Sequence, residues 1–170
     1  MTGHSSSLRV RFFACLAAAL AALSASAVDY WWTGNGNDSL WSNAANWATD
    51  DQGTPATAAP KRGDYAVYHF EVPDGGLVVT QDIAQVGNAY GIVADGIKVT
   101  TTASGPVEMK IVSTEQNAYL NFRNNANASI DVPANVTLTL NTDMGGYNIT
   151  SDFIKNGAGT LAFDLKFRTP

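Results

Sequence analysis

The stretch VTLTL, residues 136–140, alternates apolar and polar side chains at every position. Val136, Leu138 and Leu140 fall on one face of an extended chain, and Thr137 and Thr139 fall on the other. This two-residue period is typical of a half-buried β-strand. No window beyond residue 27 carries apolar residues at helical spacing over three turns, so the sequence predicts an all-β fold.

The same period recurs along the chain, between short segments rich in turn-forming residues. Regular alternation is found in VEMKIV (107–112), AYLNFR (118–123), SIDV (129–132) and TLAFDL (160–165), and weaker alternation in YAVYHF (65–70), GLVVTQDI (76–83), YGIVAD (90–95) and IKVTTT (97–102). Turns are predicted at PDGG (73–76), VGN (86–88), DG (95–96), SGP (104–106), NNAN (124–127) and MGG (144–146). About ten short strands at roughly ten-residue spacing indicate a sandwich, a barrel or a solenoid.

Three features favour a β-solenoid and leave a β-sandwich as the alternative. The corners between strands are short, and the long connections of a Greek key are missing. Asn and Thr are frequent at outward positions, where their side chains can form ladders between stacked rungs. In either fold, the apolar faces of successive strands are predicted to share one interior.

Residues 1–27 have the three parts of a secretory signal peptide. A basic start with Arg9 and Arg11 precedes an apolar run, and Ala25-Ser26-Ala27 is a small-residue cleavage site before Val28. Cleavage leaves 143 residues with eight basic and 15 acidic side chains and removes Cys15, the one cysteine. The acidic balance and the absence of a basic run argue against nucleic acid, or a membrane after cleavage, as a partner.

All four tryptophans lie in the stretch DYWWTGNGNDSLWSNAANW, residues 29–47: Trp31, Trp32, Trp41 and Trp47. They could form a platform for sugar, with Asn35, Asp38 and Asn46 supplying polar groups. They could instead cap one end of the core, because indoles bury a large area with one polar atom to satisfy. We favour the cap, with Trp31 as the indole with most exposure. Residues 28–64 then form an N-terminal cap and loop, and residues 65–170 the solenoid strands.

Two segments resemble autotransporter-like secreted proteins. The first has the Trp, Asn-Trp, Pro and Gly-Asp layout of passenger N-termini and comprises Trp32, Trp41, Asn46, Trp47, Pro60, Gly63 and Asp64. The second, FIKNGAGTLAFD (153–164), is similar to the autotransporter-associated β-strand repeat and comprises Lys155, Gly157, Gly159, Thr160, Leu161 and Phe163. The resemblance implies a right-handed β-helix on a bacterial surface, with one partial repeat at residues 153–164. It also implies downstream repeats of a longer chain, of which this chain is the N-terminal fragment.

Few residues suit catalysis or metal binding. His69 is the one histidine beyond the signal peptide, and no motif supplies it with a Ser or Asp partner. No transition-metal or calcium-loop spacing occurs, so neither a metal nor a cofactor is predicted. A polysaccharide lyase or hydrolase would have to use outward residues on different strands, namely Glu108, Asp131 and Asp164 with Lys110 and Arg123.

The sequence therefore predicts a non-catalytic, adhesin-like passenger segment of a secreted surface β-solenoid. Its partners would be a glycan or a host or matrix surface. Its location would be extracellular or at the cell surface, or the periplasm if export across the outer membrane fails. A carbohydrate-binding module that uses the Trp cluster is the alternative, and a polysaccharide lyase or hydrolase is a more distant one.

Overall fold

A computed structural model describes residues 28–84, 91–113, 118–122, 128–142 and 153–164. The described chain is all-β apart from one short 3₁₀ helix, Ala44–Asn46. The signal peptide and the turns predicted at 86–88, 124–127 and 144–146 lie outside the described residues. Within the described part of the chain, no helix is long and apolar enough to cross a membrane.

Eleven strands are formed by the described residues. They are β1 Val28–Trp32, β2 Trp47–Ala48, β3 Ala66–Val72, β4 Leu77–Gln81, β5 Ile92–Thr101, β6 Val107–Ser113, β7 Leu120–Phe122, β8 Ser129–Asp131, β9 Val136–Asn141, β10 Ile154–Asn156 and β11 Thr160–Phe163. Each regular window of the sequence contains one of these strands. The predicted turn at 73–76 is confirmed, since Gly76 donates its N–H to the Pro73 carbonyl at 2.9 Å. The chain bends at residues 104 and 105, within the turn predicted at 104–106.

The strands form two sheets, and the chain passes from one sheet to the other as it proceeds. One sheet has the order β10-β8-β5-β3-β1-β2, with β7 also paired to β5, and the other has the order β11-β9-β6-β4. Every strand pair is parallel except β1–β2, which is antiparallel. Residues 39–41 extend the second sheet beside β4, because Trp41 N–H donates to Thr80 O at 2.8 Å and Thr80 N–H donates to Ser39 O at 2.7 Å.

Equivalent residues of successive strands lie side by side, so the apolar faces are in register. In the second sheet Leu77 is beside Met109, Met109 beside Leu138 and Leu138 beside Leu161. In the first sheet Tyr68 is beside Ile97 and Ile97 beside Ile130. Since side chains alternate between the two faces of a strand, in-register pairing extends each apolar face across the whole sheet.

The prediction of one shared interior is confirmed for the described strands. Leu120, Val132 and Leu138 belong to a single cluster of buried side chains that includes residues of both sheets. Phe163 is beside Leu140 on the inward face, yet it is 44% exposed. The reason is position, because β11 is the last strand of its sheet among the described residues.

The turn predicted at Asp95-Gly96 is wrong, and so is the division of 90–102 into two strands. One continuous strand, β5, covers residues 92–101 of these two windows. The Asp-Gly pair produces a bulge, because Ala66 pairs with Ala94 whereas Val67 pairs with Gly96, which leaves Asp95 as the additional residue. A sequence typical of a turn thus forms a bulge inside a strand that pairs with neighbours on both sides.

Candidate functional site

Two of the four tryptophans are core residues. Trp41 and Trp47 are 0% and 1% exposed, and the indole Nε1–H of Trp47 donates to the Trp41 carbonyl at 2.8 Å. Trp41 packs edge-on against Tyr68 with ring centroids 4.8 Å apart. Because both indoles contact residues of β3, they continue the aromatic core beyond that strand toward the N-terminal end.

A hydrogen-bonded loop holds these indoles in place. Asn46 is fully buried, and its Nδ2 donates to Asp38 Oδ1 at 2.7 Å and to Leu40 O at 3.0 Å. Its Oδ1 accepts from the Gly36 N–H at 2.8 Å. Asn43 caps the 3₁₀ helix by accepting from the Ala45 N–H, as Asn does at helix N-termini.

Two polar side chains that were considered as sugar ligands, Asn46 and Asp38, belong to this loop. Asn46 is buried and its amide is fully used inside the loop. Hydrogen bonds from the Asn43 side chain, the Leu40 backbone and the Asn46 side chain hold the pKa of Asp38 below its usual range. Asn46 therefore fixes the loop from a buried position, and Asp38 fixes it from an exposed one.

Trp31 and Trp32 are half-buried and point to opposite sides of β1. Trp32 packs edge-on against Trp47, with ring centroids 5.0 Å apart. Trp31 stacks on His69 of β3, with centroids 4.4 Å apart and ring planes 14° from parallel. His69 Nε2 lies 2.9 Å from Asp29 Oδ1, so the stacked pair is tied back to β1.

Both of these half-buried indoles line a cavity of about 620 Å³ at the carboxyl ends of β1, β3 and β5. Its other walls are Thr33, Gly34, Asp50, Asp51, Gly53, His69, Phe70, Glu71, Pro73, Leu77, Lys98 and Thr100. Sites for small ligands have volumes of about 300–1,000 Å³ and combine apolar walls with a few polar groups. The cavity lies within this range and has both kinds of wall, so it is a candidate site.

The cavity carries more negative than positive charge. Its described walls contain three carboxylates, from Asp50, Asp51 and Glu71. Lys98 is the one lysine or arginine among them. Asp50 Oδ1 accepts from the backbone N–H groups of Thr54 and Gln52 at 2.9 and 3.1 Å. Hydrogen bonds from Thr54 hold the pKa of Asp50 below its usual range, so this carboxylate stays ionised.

Sequence reasoning missed the partners of Trp31 in this site. The two-residue period does place Asp29 and Trp31 on one face of β1, and His69 and Glu71 on one face of β3. What the sequence does not give is the register that sets Trp31 beside His69, because the two residues are far apart in the chain. The pairing of β1 with β3 creates the site.

The residues of the predicted repeat motif form a corner that packs tightly on the preceding one. Gly157 has φ +76°, and a Cβ there would come within 2.2 Å of the Val132 carbonyl oxygen. A Cβ on Gly159 would come within 2.2 Å of the Pro133 carbonyl oxygen. Lys155 Nζ donates to Gly157 O at 2.5 Å, and Thr160, Leu161 and Phe163 pair with β9.

The outward acids considered for a lyase do not lie together. Asp131 belongs to the first sheet, where it accepts from Asn156 Nδ2 at 2.7 Å. Glu108 belongs to the second sheet and is 3.0 Å from Lys110 Nζ. Asp164 accepts from Asn141 Nδ2 at 2.7 Å, and Arg123 lies outside the described residues. No three His, Cys, Asp or Glu side chains within the described ranges are grouped to hold a metal ion.

Comparison with protein-family models, with curated proteins and with solved structures gave no match. The likeness to autotransporter passengers is carried by the residues quoted for it, and it stays a prediction.

Proposed function

We propose that this chain is an exported, non-catalytic segment of a surface β-solenoid with an adhesin-like role. The observation that carries the proposal is the path of the chain, which adds a strand to one parallel sheet and then to the other. Connections between parallel strands of one sheet are right-handed in about 98% of cases. The fold we propose is therefore a right-handed β-helix, as in autotransporter-like passengers.

The Trp-rich region would close the N-terminal end of this solenoid. The first sheet ends in the antiparallel pair β1–β2, and Trp41 and Trp47 are buried against residues of β3. An open sheet edge can pair with other chains, and covering it removes that hazard. Residues 28–64 would thus be a structural cap, whatever their outer surface binds.

Further repeats would stack on the opposite end. There β10 and β11 are the last strands of their sheets in the described part of the chain, and Ile154 and Phe163 are 54% and 44% exposed. The Gly157–Gly159 corner shows how closely one rung approaches the next. A following rung of similar sequence would bury Phe163, which lies beside the buried Leu140 on the inward face, whereas Ile154 lies beside Ser129 on the outer face.

Export is tested by expressing the full chain in a Gram-negative host and sequencing the N-terminus of the recovered protein. We expect Val28 as the first residue and recovery from the periplasm, the surface or the medium. The control is Ala27→Arg, which places a large charged residue at the cleavage position and should block processing. Unprocessed wild-type chain in the cytoplasm would contradict export, and turnover of an acidic polysaccharide would contradict the non-catalytic role.

One observation favours a carbohydrate-binding role as a second candidate. Trp31 and Trp32 line a cavity with Asp, Glu and Lys side chains, whereas Trp41 and Trp47 are core residues. A sugar platform could therefore use only Trp31 and Trp32, at the carboxyl ends of β1 and β3, and not all four indoles.

A further inference from the structure

The cavity at the ends of β1, β3 and β5 has an aromatic wall that is fixed in place. Trp31 is stacked on His69, and His69 is held by Asp29 on the strand that also carries Trp31. These contacts restrict the indole before any ligand arrives. Binding to such a surface loses little side-chain entropy, since the wall is already ordered.

The remaining walls supply hydrogen-bonding groups at several positions around this ring. Asp50 and Asp51 come from the loop after β2, Glu71 from β3, and Lys98 from β5. Glu71 and Lys98 are exposed on their strands. Carboxylates accept hydrogen bonds and the ammonium group donates them, so the set suits a ligand with many hydroxyl groups.

The charge balance selects among such ligands. Three carboxylates against one ammonium group oppose a polyanionic chain, because like charges brought into one cavity repel. The ring face of an indole carries partial negative charge and attracts the polarised C–H groups of a pyranose ring. An uncharged sugar presents both the C–H face and the hydroxyl groups.

We propose that this cavity binds a short segment of a neutral glycan. One pyranose ring stacks on the face of Trp31 that His69 leaves uncovered and bonds through its hydroxyl groups to the loop carboxylates, and a neighbouring sugar unit bonds to Glu71 and Lys98. This proposal rests on the carbohydrate-binding candidate given above and names its ligand and contacts. It depends on the register of β1, β3 and β5 and not on export, so this proposal and the proposed structural role can each fail without the other.

The test measures binding of defined oligosaccharides to the purified protein by calorimetry and by tryptophan fluorescence. The probes are cellotriose, maltotriose and chitotriose, with trigalacturonate as the acidic counterpart and choline as a cationic ligand of aromatic rings. We expect saturable binding of at least one neutral trisaccharide and weaker binding of trigalacturonate. Failure of all three neutral probes, or preferential binding of trigalacturonate or choline, would overturn the proposal.

Two variants locate the binding to this cavity. Trp31→Ala should weaken binding at least about tenfold, a loss of about 1.4 kcal/mol. Glu71→Gln, at an exposed position that leaves the core intact, should weaken it severalfold. Tyr65→Ala is the control, since Tyr65 is an exposed aromatic residue outside the cavity and its loss should leave affinity unchanged. Unchanged affinity in both cavity variants would place the sugar elsewhere.

Discussion

The side-chain amide of the fully buried Asn46 donates to Oδ1 of Asp38 at 2.7 Å, and this bond closes the loop that carries Trp41. The carboxylate accepts two further hydrogen bonds, from the Leu40 N–H at 3.0 Å and from Asn43 Nδ2 at 2.8 Å. A sequence rich in Gly, Asn and Ser therefore forms a specific polar scaffold around two buried indoles.

Asn46→Asp tests this scaffold with a change of almost no volume. The new carboxylate would lose both donated hydrogen bonds and would lie beside Asp38, so we expect the free energy of unfolding to fall by about 3 kcal/mol or more. Urea denaturation followed by tryptophan fluorescence measures the change. Asn35→Asp adds the same charge at an exposed position and should change stability by less than about 0.5 kcal/mol. Equal effects of the two substitutions would rule out a structural role for the Asn46 amide.

Acid should weaken the same loop. Because the pKa of Asp38 is held below its ordinary value of 3.8, the folded protein favours the ionised carboxylate more than the unfolded chain does. Its contribution to stability is present above pH 3.8 and is lost as the pH falls below it. Denaturation curves between pH 6 and pH 2.5 should show a smaller acid-induced loss in Asp38→Asn than in the wild type, and identical pH profiles would contradict this.

Three glycine-to-alanine variants separate strain of the backbone from collision with the neighbouring rung. Gly53 has φ +83° and nothing within 4 Å of a Cβ, so Gly53→Ala should cost about 1 kcal/mol from conformation alone. Gly159→Ala meets the Pro133 carbonyl oxygen and should cost about 2 kcal/mol or more, and Gly157→Ala combines both effects. Chemical denaturation ranks the three, and a Gly53→Ala variant as unstable as Gly159→Ala would contradict the close approach of the two corners.

Tyr68→Phe should keep or raise stability. The Tyr68 hydroxyl is buried, and it has no hydrogen-bond partner among the described residues. Its removal eliminates a buried polar group that has no hydrogen bond. We therefore expect the free energy of unfolding to rise by zero to about 1 kcal/mol at neutral pH. In Tyr30→Phe the lost hydroxyl donates to Asp64 Oδ2 at 3.3 Å, so this matched variant should lose about 0.5–1 kcal/mol. A large loss in Tyr68→Phe would show that the hydroxyl has a partner.

Alkaline pH gives an independent check on Tyr68. Burial raises the pKa of its phenol above the usual value of 10, so the unfolded chain ionises first as the pH rises. The free energy of unfolding is therefore unaffected by this ionisation below pH 10 and falls as the pH rises above 10, because only the unfolded chain then gains from ionising. Tyr68→Phe should therefore lose less stability than the wild type between pH 9 and pH 11, as measured by urea denaturation.

The local period of the sequence was sufficient to place most strands and their inward faces. Val136, Leu138 and Leu140 are buried as predicted, because alternation fixes which side of a strand an apolar residue occupies. The period could not predict which strands pair, because the residue beside Trp31 is His69 of β3, which is far away in the sequence. The burial of Asn46 was likewise hidden, because only the folded loop brings Asp38, Leu40 and Gly36 to its amide.

Cysteine cross-linking between neighbouring strands tests the stacked parallel register most directly. In a Cys15→Ser background, Lys110→Cys with Thr139→Cys joins residues that lie side by side on β6 and β9. Lys110→Cys with Thr137→Cys is displaced by two residues, about 7 Å along the strand, which puts the pair beyond disulfide reach. We predict an intramolecular disulfide in the first pair and none in the second under mild oxidation. Cross-linking of the displaced pair, or of neither, would contradict the stacking of the chain into two parallel sheets.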